Sequence, residues 1–169
     1  MSLETLADLR RYLPTGDTCF VCGGKNPRGL HLRFFTCGDR QAQAEWTPEE
    51  SLTGYEGVVH GGIIGTVLDE ILGWSVSLVC DRFTVTGELT VRYLKPVPAG
   101  RTYTFTARSV EDRKRYWIAE GEMRDAEGTV YARGQGKFFP RSEKETGDVA
   151  AKLTYQPGDL PIFLGGRET

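Results

Sequence analysis

Residues 54–79, GYEGVVHGGIIGTVLDEILGWSVSLV, restrict the possible folds of this chain more than any other stretch. A glycine-rich approach through His60-Gly61-Gly62 leads into about five turns of helical spacing. Ile63, Ile64, Val67, Leu68, Ile71, Leu72, Trp74, Val76, Leu78 and Val79 surround the axis. A helix that is apolar on every side must be covered on every side, so the rest of the chain has to wrap it. Its two charges, Asp69 and Glu70, are neighbours at its middle. A carboxylate there is costly to desolvate unless it is paired, neutralised or put to use.

The wrapping material is β-sheet. Residues 31–36 and 41–46 form two predicted strands joined around Gly38-Asp39. After the helix, Phe83, Val85, Gly87, Leu89, Val91 and Tyr93 alternate with Thr84, Thr86, Glu88, Thr90 and Arg92, the pattern of a half-buried strand. Pro96, Pro98 and Gly100 end it. Strands over 101–111, 115–124 and 129–139 follow, with links at 112–114 and 125–128 short enough for antiparallel hairpins. The expected fold is therefore α+β, an antiparallel sheet curled round one long helix.

Outside this unit, Leu3, Leu6, Leu9 and Leu13 predict a short amphipathic helix ending near Pro14. A turn-rich loop, Cys19-Phe-Val-Cys22-Gly-Gly-Lys-Asn-Pro-Arg-Gly-Leu, comes next. From residue 141 onward charge, Pro and Gly dominate, and only 160–164, LPIFL, is apolar enough to dock. The expected division is 1–27 as helix and Cys/Gly-rich loop, 28–139 as the principal domain, and 140–169 as a tail, partly docked or mobile.

A length of 169 residues suits one domain with a real core, and a formal net charge of −2 gives no footprint for nucleic acid. The paired acids argue against a membrane span in the long helix. Four irregularly spaced cysteines suggest reduced thiols, and residues 1–14 lack the continuous apolar run of a secretory signal, so a cytoplasmic setting is expected. Cys19-x2-Cys22 is half a zinc site that Cys37 and His31 would have to complete. A second C-x-x-C is missing and the spacing is unusual for a zinc ribbon, so no metal is expected there.

Steps of three or four from Asp69 reach Gly62, Gly65, Thr66 and Gly73, which places the acid on a stripe of small side chains where a ligand or a second backbone can come close. Glu70 points about 100° away. At Gly61-Gly62 the unpaired N–H groups and the positive helix end converge, a donor set suited to a polarised carbonyl. Simple alternation places Thr86 opposite Phe83 and Val85. Gly87, however, marks a bulge that would reset the parity, with Thr84 as the substitute.

The pattern HGG-x6-D, His60 to Asp69, and the later run TGELTVRYLKPVP, 86–98, resemble the hotdog-fold acyl-CoA thioesterases of the phenylacetic-acid-pathway type. The glycine approach GYEGVVHGG is similar to that of mammalian thioesterase-superfamily members 4 and 5. The resemblance covers roughly residues 28–139. It implies hydrolysis of an acyl-CoA or aryl-CoA thioester without metal or organic cofactor, coenzyme A entering as part of the substrate. Asp69 would activate water or attack, the Gly62 amide would polarise the carbonyl, His60 would orient the loop, and Thr86 would help place the nucleophile. It further implies a homodimer, often paired again into a homotetramer, with active sites across the subunit interface. Several members carry Asn six residues before the His, where this chain has Gly54.

Basic residues near strand ends and a hairpin tip, Arg92, Lys95, Arg113 and Lys137, are candidates for the coenzyme A phosphates, with Gly61 on the loop side. Two other functions compete. One is a non-catalytic acyl-CoA or acyl-lipid binding protein using the same groove, which gains nothing from a desolvated acid. The other is a hotdog dehydratase or hydratase, whose differently spaced His–acid motif is absent.

Overall fold

The computed structural model describes residues 10–38 and 40–163. Its centre is helix α1, Gly61–Cys80. His60 caps the amino end, its Nδ1 accepting the Gly62 N–H at 2.9 Å. Asp81 closes the other end in the left-handed conformation, and its carboxylate takes the Phe163 N–H at 2.6 Å. Along α1 only Gly62 is exposed, and Val67, Leu68, Ile71, Leu72, Ser75 and Val76 are sealed completely. The helix is long and apolar enough to cross a membrane by length and composition, yet here it is the core helix.

Seven strands form an antiparallel sheet in the order β1-β3-β4-β8-β9-β10-β7. They are β1 Arg11–Tyr12, β3 Phe35–Thr36, β4 Ala42–Trp46, β7 Thr84–Tyr93, β8 Tyr103–Asp112, β9 Trp117–Arg124 and β10 Val130–Pro140. The predicted strand pairs thus exist, except that of the strand expected over 31–36 only Phe35–Thr36 forms, His31 lying in the left-handed conformation. The turn between β8 and β9 is held by Asp112, whose Oδ1 accepts the Lys114 N–H, and that between β9 and β10 by Asp125, which accepts from Glu127 and Thr129. Strand β7 follows α1 in sequence but joins the sheet beyond β10, at its edge.

The core lies between α1 and the inward side chains of this sheet, where Phe105, Tyr103, Ala119, Met123, Ala132 and Phe138 are buried. Gly134 faces α1 so closely that a Cβ would sit 3.3–3.4 Å from Leu68 and Leu72. Two small sheets complete the fold. Strands β5, Thr53–Tyr55, and β6, Val58–Val59, pair in the approach to α1, while β2, Thr15–Gly16, pairs with β11, Leu153–Thr154.

The ends of the chain depart from expectation. The predicted amino-terminal helix lies outside the described residues up to Leu9, and it does not continue to Pro14. Arg11 and Tyr12 are strand, paired with Thr36 and Phe35, because the Tyr12 ring packs edge-on against Phe35 at 5.7 Å. The tail contains helix α2, Glu143–Ala150, and its apolar segment docks: Ile162 and Phe163 are buried, with Phe163 stacked on Trp74 of α1.

Candidate active site

Strand β7 lies along the small-residue stripe of α1. A Cβ on Gly61 would meet the Tyr93 ring at 3.2 Å, one on Gly65 the Tyr93 hydroxyl at 3.4 Å, and one on Gly73 would lie 3.8 Å from Thr84 Oγ1. Tyr93 also donates its hydroxyl to the Gly61 carbonyl at 2.7 Å. The stripe's first use is therefore close packing of a strand. Asp69 breaks it with a charge.

Thr86 Oγ1 donates to Asp69 Oδ1 at 2.8 Å, and Asp69 is only half-buried. What aims Thr86 is a register shift: Lys137 of β10 pairs with Glu88 and Phe138 with Thr86, so Gly87 is the extra residue of a bulge. Before it Thr84 and Thr86 face α1; after it Leu89, Val91 and Tyr93 do. Val85 correspondingly lies on the outer face opposite Phe139, and the Phe139 ring fills the space a Gly87 side chain would need. Thr86, not Thr84, meets the carboxylate. Tyr93, which sequence reasoning left out of the site, follows from the same change of parity.

At the helix entrance His60 is fixed by its own N–H to Leu52 O at 2.9 Å. Its ring occupies the Gly62 amide, so the donor proposed for a carbonyl is engaged within the chain. A Cβ on Gly54 would come within 3.0 Å of His60 Cδ2, which explains the glycine there: a side chain would displace the ring.

The four candidate basic residues do not gather at Asp69. Arg92 and Lys137 stand on the outer face of the sheet, opposite α1, because β7 and β10 alternate: Arg92 pairs with Arg133, and Lys137 bonds Glu88 at 2.6 Å. Arg113 pairs with Glu111 at the β8–β9 tip. Lys95 follows the end of β7, exposed, with its N–H donating to Tyr131 O at 3.2 Å.

Glu70 leaves α1 on another side and meets the Cys19 loop, with Cys19 Sγ 3.0 Å from its Oε2. Burial, and then the contact with Cys19, push the Glu70 carboxyl up to about 8. Hydrogen bonding from Cys22 draws the Cys19 thiol down to about 5, while that same contact and burial push Cys22 upward. Sequence reasoning fixed only the direction of Glu70, about 100° from Asp69, since the loop partner is 51 residues away.

An antiparallel sheet curled round one long helix, with a mid-helix carboxylate presented to a threonine on the edge strand, defines a hotdog-fold protein. The family model described as Thioesterase superfamily matches residues 56–132, the segment from the glycine approach into β10. Mouse acyl-coenzyme A thioesterase THEM5 is 27% identical over 110 residues, 64% of this chain and 44% of that protein. The protein SSO2140 of Saccharolobus solfataricus is 30% identical over 111 residues, 65% of this chain and 79% of that protein. Among solved structures, the thioesterase superfamily protein RHA08564 superimposes with a TM-score of 0.68 at 25% identity, over 73% of this chain and 60% of that one. PaaI of E. coli, from the phenylacetic acid degradation operon, shares the fold with a TM-score of 0.62 at 19% identity, over 67% of this chain and 81% of its own. The chain belongs to the thioesterase superfamily. It spans less than half the length of THEM5.

Proposed function

We propose that the protein hydrolyses an acyl-CoA or aryl-CoA thioester to the free carboxylic acid and coenzyme A. The observation that carries this reading is the Asp69 carboxylate, half-buried at mid-helix and held by Thr86 Oγ1 at 2.8 Å. A hydroxyl donated to one oxygen leaves the other to take a proton from water. The hydroxide equivalent adds to the thioester carbon, the C–S bond breaks, and the thiolate leaves with the proton returned to it. The developing oxyanion sits at the amino end of α1, where the Gly62 N–H transfers from His60 Nδ1 to the more charged acceptor. Lys95, exposed and outside the ion pairs that hold Arg113 and Lys137, is the basic residue for a coenzyme A phosphate.

The active unit is a homodimer. Strand β7 runs ten residues along the sheet edge beside Asp69, with its outer hydrogen-bonding side unpaired among the described residues. So long an open edge invites a second copy, which would close the cleft over the site.

Purified protein should release thiol from a panel of short, long and aromatic acyl-CoA thioesters. Asp69→Asn should lower kcat by about 10²–10⁴-fold with an unchanged circular dichroism spectrum. Undiminished turnover in that variant removes Asp69 from the mechanism, and saturable binding without turnover across the panel removes the hydrolase reading altogether.

A further inference from the structure

Cys19, Cys22 and Glu70 form a cluster apart from the Asp69 chemistry, and their ligand atoms all lie within 4.8 Å of one another. The two sulfurs come from one tight turn and the carboxylate from the middle of α1. Each sulfur receives a backbone donor, Val21 N–H to Cys19 Sγ at 3.3 Å and Gly16 N–H to Cys22 Sγ at 3.4 Å. The turn itself tolerates only glycine after the second cysteine. A Cβ on Gly23 would lie 2.4 Å from Cys19 O and 2.7 Å from Asp17 O, and the Gly23 N–H closes the turn onto Cys19 O at 3.0 Å. The loop is pinned further by Leu30 N–H to Phe20 O and Leu32 N–H to Val21 O.

We propose that Cys19, Cys22 and Glu70 bind one zinc ion, which ties the amino-terminal loop to α1. Zn–S bonds of about 2.3 Å and Zn–O bonds of about 2.0–2.2 Å set tetrahedral ligands roughly 3.6–3.8 Å apart. The Cys19–Glu70 separation of 3.0 Å and the 4.8 Å limit for the whole group bracket that spacing. Two thiolates select zinc over magnesium or calcium, and a water completes the fourth position. On binding, the thiol protons and any proton on Glu70 pass to solvent, and no bond other than those to the metal forms. Amide donors on both sulfurs are the outer contacts that stabilise metal-bound thiolate. The ligand that Cys37 and His31 would have had to supply comes from the helix instead: His31 Nδ1 donates to Gly23 O at 2.8 Å, bracing the turn rather than joining the cluster.

The test is a cobalt(II) titration of the reduced full-length chain after chelation and desalting. The expected result is saturation at one equivalent, with thiolate-to-cobalt charge-transfer bands in the near ultraviolet and four-coordinate d–d bands in the visible, all abolished by added zinc. Cys19→Ser and Cys22→Ser should lose the charge-transfer bands, Glu70→Gln should weaken binding about tenfold or more, and Cys37→Ser should leave the spectrum unchanged. A reduced wild-type chain that gives no charge-transfer band overturns the proposal whatever the variants do, and so does a band that survives both serine substitutions in folded protein. Thioesterase turnover does not enter either readout, so the two proposals fail separately.

Discussion

Thr86→Val and Thr86→Ser separate two ways in which a threonine can matter beside Asp69. Valine keeps the shape and removes the donor at 2.8 Å, a hydrogen bond to a charged group worth about 1.5–3 kcal/mol. kcat should therefore fall by about tenfold to a hundredfold, and serine should restore most of it, in a thiol-release assay. Full activity in the valine variant with a loss in the serine variant would mean that the methyl group's packing mattered and the hydroxyl did not. Gly54→Ala makes a second residue-scale test. Its Cβ would press on His60 Cδ2 at 3.0 Å and displace the ring that orders the entrance to α1, so activity should drop while thermal stability changes by less than about 1 kcal/mol. Thr86 entered through the resemblance and against simple alternation, with Gly87 as the one hint that the parity resets; the register shift from Lys137/Glu88 to Phe138/Thr86 turns that hint into a side-chain direction. The basic residues were not legible in this way. A face cannot be assigned to Arg92 or Lys137 until the bulge and the partner strand are known.

Helix α2 is an element that propensity and composition concealed. Its start is a reciprocal capping box: Ser142 Oγ takes the Glu145 N–H, and Glu145 takes the Ser142 N–H at 3.0 Å. The helix then anchors the beginning of β7, with Thr146 Oγ1 accepting the Phe83 N–H at 3.2 Å and the Arg141 N–H reaching Phe83 O at 2.8 Å. Ser142→Ala should cost about 0.5–2 kcal/mol in a urea unfolding curve. Hydrogen bonds from Ser142, then Arg141, hold Glu145 down at about 2 against an ordinary 4.5. A depressed carboxylate stabilises the fold above its unfolded value and loses that contribution as pH falls through the folded one. The stability gap between wild type and Glu145→Gln should accordingly be full above pH 4.5 and close toward pH 2. A gap constant across that window would show that the carboxylate is not the capping group.

For the whole molecule, the open edge of β7 makes the oligomeric state measurable: sedimentation equilibrium should return a dimer, and dilution to monomer should abolish turnover. A fully active monomer would show that one chain completes its own cleft. By itself, the sequence determined that one long helix had to be enclosed, that the enclosure was antiparallel strands, and that Asp69 stood on its small-residue stripe, because all of these follow from periodicities of two and 3.6 within single elements. Tertiary structure alone decided that β7 fills the stripe, that Glu70 meets Cys19 across 51 residues, and that the tail docks through Phe163 on Trp74. Local spacing encodes which face of an element is apolar; it carries no record of which distant element will cover that face, and that depends on register, bulges and the packing of the folded whole.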